Sequence, residues 1–73
     1  MDPHILEATL KLHIDEIRQR LEQAAGIARA AQACAESGNV EKAIEITLDV
    51  EQLIYEVSTI LNAASLMNRI YRT

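Results

Sequence analysis

The strongest constraint on this chain is a turn signal near its middle, Glu36-Ser37-Gly38-Asn39. It is the only strong chain-breaking signal after Pro3, and the segments on either side have helical patterns of similar length. Gly38 suits the left-handed conformation that ends many helices, and Asn39 suits the cap of the helix that follows. The sequence therefore predicts two helices joined by a tight turn, which is an antiparallel helical hairpin.

The first helix is expected from residue 3 to about residue 36, because Asp2 is a good N-cap and Pro3 fits the first helical position. Its apolar residues recur at alternating spacings of three and four residues, which is typical of a helix packed lengthwise on another. The row that we expect to contact the second helix is Leu6, Leu10, Ile14, Ile17, Leu21, Ala24, Ala28, Ala31 and Ala35. Because alanines fill the second half of this row, the two helices should approach more closely near the turn.

The second helix is expected from residue 40 to about residue 72, with the turn at residues 37–39. One row with heptad spacing should face the first helix: Ile46, Val50, Leu53, Val57, Ile60, Ala64, Met67 and Tyr71. Further apolar residues flank this row, and together they exceed the stripe of an ordinary surface helix. We interpret the flanking residues, together with Met67, as an interface for another molecule: Ile44, Leu48, Ile54, Leu61, Leu66, Met67 and Ile70.

The composition supports an all-α fold with a single domain over residues 1–73. Hydrophobic residues make up 49% of the chain, but only two residues are aromatic, both tyrosine. A chain of this length has a thin core, and such chains usually gain stability from a disulfide, a metal or a partner. Because Cys34 is the only cysteine, no intrachain disulfide can form. The spare apolar surface therefore predicts association, either as a homodimeric four-helix bundle or with a helical protein partner.

The expected location is the cytoplasm. A single cysteine fits a reducing compartment. No apolar run approaches the roughly 18 residues of a membrane span. Residues 1–4 also lack the basic segment and apolar core of a signal peptide. We therefore expect a protein that does not enter a membrane.

No residue pattern predicts catalysis or metal binding. His4 and His13 each lie three residues before a glutamate, but the second helix has no inward carboxylate at the matching level. Cys34 has no basic neighbour in sequence that would activate its thiol, and no serine has a histidine nearby in sequence. We therefore expect no enzymatic activity, no metal, no cofactor and no small-molecule substrate. The prediction is instead a small protein–protein interaction module, such as an adaptor, regulator or chaperone-like subunit, that acts through the apolar face of the second helix.

Charge is distributed unevenly along the predicted hairpin. Residues 1–22 and 59–73, at the open end, contain five basic and five acidic residues. Residues 23–58, at the turn end, contain two basic and six acidic residues and so carry the whole net charge of −4. This acidity and the scarcity of aromatic residues disfavour nucleic-acid binding. The alternative function that we retain is a regulatory dimer that binds nucleic acid through basic residues at the open end: Arg18, Arg69 and Arg72.

The turn and its flanks resemble a known helix–helix connection. The segment from Ala31 to Ala43 resembles the turn between the two helices of a tetratricopeptide repeat, a family that places glycine and alanine five residues apart, as Gly38 and Ala43 are here. The resemblance implies a tight helix–turn–helix connection. It covers only this segment, both expected helices are longer than those of the family, and no proline closes a repeat, so no binding residues are carried over.

Overall fold

Two long helices account for almost all of the described chain. A computed structural model describes residues 2–72, so Met1 and Thr73, the ends of the expected 1–73 domain, lie outside the described residues. Helix α1 spans Pro3–Glu36 and helix α2 spans Val40–Arg72. The helices pack lengthwise against each other, and their Cα atoms extend over 54 × 14 × 12 Å. This arrangement confirms the predicted all-α fold with two helices packed as a hairpin.

The start of α1 is capped by Asp2, as its sequence indicates. The Asp2 carboxylate accepts a hydrogen bond from the backbone amide of His4 at 2.8 Å. Pro3 occupies the first turn, where it sacrifices no backbone hydrogen bond because the first amides of a helix have no partner within the helix. The cap therefore both starts the helix and satisfies one of its free amides.

The turn is closed by backbone hydrogen bonds around Gly38, which has a φ of +98°. The amide of Gly38 donates to the carbonyl of Ala35 at 3.0 Å, and the amide of Asn39 donates to the carbonyl of Cys34 at 3.1 Å. These bonds form a Schellman motif, which satisfies the last carbonyls of α1. The Asn39 side chain then accepts from the amide of Lys42 at 3.1 Å and caps α2. One four-residue signal thus ends one helix and starts the next.

The two helices meet along a single regular seam. On α2 the seam is the predicted row, from Ile46 to Met67, preceded by the buried Ala43. Tyr71 is the exception, because it lies at the open end of the hairpin and is 52% exposed. On α1 the buried and half-buried residues of the seam are Leu6, Leu10, His13, Ile17, Arg20, Ala24, Ile27, Ala31 and Cys34.

The predicted row on α1 is therefore wrong at every second position from Ile14 onward. Hydrophobicity predicts that Ile14 and Leu21 lie in the seam, but they are 63% and 46% exposed. Ala28 and Ala35 are exposed as well. Each of these four positions is replaced in the seam by the residue before it: His13, Arg20, Ile27 and Cys34. The helix is thus rotated about its axis relative to the prediction.

Polar side chains are tolerated at seam positions because they have hydrogen-bond partners there. The His13 ring nitrogen Nδ1 lies 2.8 Å from the carbonyl of Thr9. Arg20 can lay its aliphatic stem along the apolar seam while its guanidinium reaches the edge, where Nε lies 2.8 Å from Oε1 of Glu56 on α2. Within the described residues, no buried side-chain nitrogen or oxygen lacks a partner.

The core that results is thin. Within residues 2–72 the buried hydrophobic residues are Leu6, Ala24, Ala31, Ala43 and Leu53. The chain exposes 5492 Å², whereas a compact chain of 8.1 kDa exposes roughly 4,500 Å² by the usual scaling with size. Much of the large apolar surface therefore remains on the outside of the hairpin. Neither described helix has a stretch that is long and apolar enough to cross a membrane.

Candidate functional site

One side of the hairpin is apolar on both helices. In heptad notation the seam residues occupy positions a and d, and position e lies directly beside the seam. On α1, position e is held by Glu7, Ile14, Leu21, Ala28 and Ala35. On α2, it is held by Val40, Thr47, Ile54, Leu61 and Asn68. Apart from Glu7 and Asn68 near the open end, each residue presents an alkyl group, and all are exposed.

The turn half of this side contains a shallow groove of about 330 Å³. It is lined by Ala28, Ala31, Gln32, Ala35, Val40, Ala43, Ile44 and Thr47. The lining shows that position e of α1 and position e of α2 flank the same side of the seam. The hydroxyl of Thr47 donates to the carbonyl of Ala43 at 2.8 Å, so its polar group is already satisfied. Small side chains therefore leave a hollow with an apolar floor.

The open half of the same side carries large side chains instead. Continuing the seven-residue spacing from the groove places Leu21 level with Ile54, and Ile14 level with Leu61. On α2, Ile54 is 47% exposed and Leu61 is 56% exposed. These four side chains form a ridge that continues the groove toward the open end. We define the apolar face as the ridge and groove together: Ile14, Leu21, Ala28, Ala35, Val40, Ile44, Thr47, Ile54 and Leu61.

The opposite side of the seam is polar near the middle of the hairpin. There Arg20 bridges Glu56 of α2 and lies 3.9 Å from the carboxylate of Glu16. Gln52 donates to the second carboxylate oxygen of Glu56 at 3.1 Å. The hydrogen bond from Arg20, and then that from Gln52, lower the pKa of Glu56 below its ordinary value. The contrast between the two sides gives the hairpin one apolar and one charged surface at this level.

The seven predicted interface residues do not lie in one row. Ile44, Ile54 and Leu61 belong to the apolar face, and all three are exposed. Leu48 lies on the back of α2, opposite the seam, and Met67 lies within the seam and is half-buried. The helical spacing places the remaining two, Leu66 and Ile70, on the other flank of α2, where both are exposed. The face therefore uses part of the predicted set.

The contribution of α1 to the apolar face was missed by the sequence interpretation. Ile14 and Leu21 were placed in the seam, where they would have been covered by α2. A usable signal was present, because Ile14, Leu21, Ala28 and Ala35 repeat every seven residues immediately after the alternative row through His13. Two adjacent rows with the same period indicate a helix that contacts neighbours on two sides.

The predicted basic residues of the open end are not gathered into one site. Arg18 pairs with Asp15 at 2.8 Å and with Glu22 at 3.0 Å on its own helix. The hydrogen bonds that the Arg18 guanidinium donates to Asp15 and then to Glu22 raise the pKa of Arg18. Arg69 and Arg72 lie in the last turn of α2, about three helical turns, or roughly 18 Å, along the hairpin from Arg18. The arrangement does not form a continuous basic surface through all three positions.

The residues considered for metal or thiol chemistry lie apart. Among residues 2–72, no group of three or more His, Cys, Asp or Glu side chains is placed to hold a metal ion. His4 and His13 lie on α1 near the open end, whereas the half-buried Cys34 lies next to the turn. The Cys34 sulfur lies 3.5 Å from the carbonyl oxygen of Asn39, so the thiol donates a weak hydrogen bond within the turn.

No family model, curated protein or solved structure matches this chain. The functional argument therefore depends on the surface of the hairpin itself.

Proposed function

We propose that this protein is a small protein–protein interaction module, an adaptor, regulator or chaperone-like subunit, that binds through its apolar face. The observation that supports the proposal is the continuity of this face along both helices. Exposed apolar side chains scattered singly are common on protein surfaces, but a contiguous apolar surface of this length is typical of an interface. In this function no residue is catalytic, and the protein acts in the reducing cytoplasm.

Association in a four-helix bundle would cover the face in the simplest way. A partner that supplies two more helices, whether another hairpin or a helical surface of a different protein, would occupy position e of α1 and α2 together. The apolar side chains Ile14, Leu21, Ile54 and Leu61 would then form part of a core instead of contacting water. For either kind of partner, we predict that the contacts lie on the apolar face and not on the other flank of the hairpin.

Site-specific photo-crosslinking in cells that make the protein tests this proposal. A benzophenone amino acid replaces Ile54 on the apolar face or, in a matched control, Leu66 on the other flank of the same helix; the two side chains are 47% and 56% exposed. We expect irradiation to give discrete covalent adducts with protein from position 54 and none from position 66. Mass spectrometry of the adduct identifies the partner as the chain itself or as another protein.

Two results would contradict the proposal. An absence of adducts at position 54, in a variant whose circular dichroism shows an intact helical hairpin, means that the face binds no protein. The same adducts at both positions mean that binding is not confined to the apolar face. Either result leaves the two-helix fold unaffected.

A further inference from the structure

We propose that the partner on the apolar face is a second copy of this chain, related by a two-fold axis that places the two turns at opposite ends of a four-helix bundle. This inference rests on the proposed function, in which the apolar face is the binding surface. It adds the identity of the partner and its orientation. Three independent features carry it: the shape of the face, the distribution of charge and the area exposed.

The apolar face is complementary in shape to itself when one copy is reversed end to end. Its turn half is a groove that is lined by alanines and flanked on α2 by Val40, Ile44 and Thr47, and a ridge of four large aliphatic side chains runs from the middle of the hairpin toward the open end. Reversal places the ridge of each copy over the groove of the other. Interfaces pack to the density of protein interiors, so a ridge over a groove is favoured over two ridges in contact.

The register of this reversed packing follows from the seven-residue spacing of position e. Leu21 and Ile54 lie level with each other near the middle of the hairpin, so the two-fold axis passes close to them. Ile14 then faces Ala28 of the second copy, seven residues on the other side of the axis. In the same way Leu61 faces Thr47 of the second copy on α2. Ile14 and Leu61, the ridge side chains outside the centre, are thus each matched with a smaller one, and at the ends of the face Ala35 meets Glu7 and Val40 meets Asn68.

The alternative arrangement, with both turns at the same end, matches sizes poorly. Its two-fold axis runs along the hairpin, so α1 of one copy packs on α2 of the other at the same level. Ile14 would then face Leu61, and Ala28 would face Thr47. Large side chains would hold the open ends apart while the small ones left a cavity at the turn ends, and unfilled volume in a core is destabilising.

Charge favours the same orientation as shape. The turn half, residues 23–58, carries the whole net charge of −4, and the open half is neutral with five basic residues. With turns at opposite ends, each acidic half lies beside an open half that contains those basic residues. With turns at the same end, two halves of charge −4 lie side by side and repel each other.

The exposed area is what a stable dimer of such hairpins needs. The chain exposes 5492 Å², roughly 1,000 Å² more than a compact chain of its mass. A standard interface buries about 800 Å² on each partner. The hairpin measures 54 × 14 Å between Cα atoms across its broad side, so one side is large enough to supply that area. Covering the apolar face thus brings each chain close to the exposure of an ordinary globular protein.

Light scattering combined with a spin-label distance tests the inference on the purified chain. The label is attached at Glu36→Cys beside the turn, in a Cys34→Ala background that leaves one thiol. We expect a dimer mass and a label-to-label distance on the order of 50 Å, close to the length of the hairpin. Turns at the same end would give roughly 20 Å, since packed helices lie 8–10 Å apart.

The outcomes separate this inference from the proposed function. A folded monomer at all concentrations overturns the inference, and adducts with another protein at position 54 would then leave the proposed function standing. A dimer with the short distance overturns the orientation but not the self-association. A dimer with the long distance, together with self-adducts at position 54, supports both.

A size exchange on α1 checks the register without labels. Ala28→Leu fills the groove that Ile14 of the other copy occupies, so we expect the dimer Kd to rise about tenfold or more. Adding Ile14→Ala to the same chain should restore most of the affinity, because a large side chain at position 28 then faces a small one at position 14 of the other copy. Ala33→Leu, on an exposed α1 position away from the face, is the control and should leave Kd unchanged. Failure of the double variant to recover contradicts the proposed register.

Discussion

The turn half and the open half of the hairpin use the same two helices but are held together differently. Near the turn the buried residues are alanines, among them Ala31 and Ala43, and the backbone is fixed by the cap bonds around Gly38. Toward the open end the seam depends on large side chains, with Leu6 only 2% exposed. The difference teaches that small buried side chains and backbone cap bonds hold one half, whereas large buried side chains hold the other.

The same division continues on the outer surface. Small side chains at positions 28, 35 and 47 leave a groove in the turn half, and large ones at positions 14, 21, 54 and 61 form a ridge from the middle toward the open end. The seam and the apolar face therefore change character together along the rod. Substitutions that enlarge a residue should harm the turn half most, and truncations should harm the open half most.

Truncation of Leu6 should have the largest effect on folding. Leu6→Ala removes the most buried large side chain of the open half, and we expect a loss of about 2–5 kcal/mol in the free energy of unfolding. Urea denaturation at one fixed protein concentration measures it. Ile5→Ala, at a neighbouring residue that is 60% exposed, is the control and should change the free energy by under about 0.5 kcal/mol. Equal losses in the two variants would mean that the open half is not held by side-chain burial.

Enlargement of Ala31 should have the next largest effect. Ala31→Leu puts a bulky side chain at a buried position of the seam, and we expect a loss of about 1–3 kcal/mol in the free energy of unfolding. The exposed neighbour Ala30 provides the matched variant, Ala30→Leu, which should be nearly neutral. A gain of stability in Ala31→Leu would show that space remains between the helices in the turn half, which would contradict tight packing of the alanines there.

Acidification should produce the smallest effect, at the boundary between the halves. The pKa of Glu56 is lowered in the folded chain by Arg20, so its ion pair stabilises the fold above the ordinary value of 4.5 and loses that contribution as pH falls below it. We expect Glu56→Gln to flatten the decline of the unfolding free energy between about pH 5 and pH 3. Chemical denaturation at a series of pH values measures this slope. Glu51→Gln is the control and should leave the slope as it is in the unmodified protein. An unchanged slope in Glu56→Gln would mean that the ion pair with Arg20 does not contribute to the pH dependence.

Local signals in the sequence were sufficient for the ends of the helices. Asp2, Gly38 and Asn39 act through hydrogen bonds to backbone groups within a few residues, and their roles follow from residue type and position. The seam of α2 was also predictable, because one row there is apolar from Ile46 to Met67. These features depend on little beyond the immediate neighbours of each residue.

The rotation of α1 does not follow from the hydrophobicity of single residues. Two rows share Leu10 and Ile17, and hydrophobicity alone selects the row with Leu21 over the row with Arg20. The row in the structure is accommodated because Arg20 finds Glu56, a contact between distant parts of the chain. Because hydrophobicity places Ile14 and Leu21 in the seam, the sequence does not predict the α1 part of the apolar face. It does predict three residues of the α2 part, Ile44, Ile54 and Leu61.

The position of the turn has a consequence for how the chain folds. Residues that meet beside Gly38 are close in sequence, and those that meet at the open end are separated by almost the whole chain. The entropy of loop closure rises slowly, by about 0.6 kcal/mol for each doubling of length, so pairing that begins at the turn can spread outward at modest cost. The first contacts reached are between alanines and contribute little, and the leucines come last. Partly zipped hairpins are therefore poorly stabilised, which favours cooperative folding.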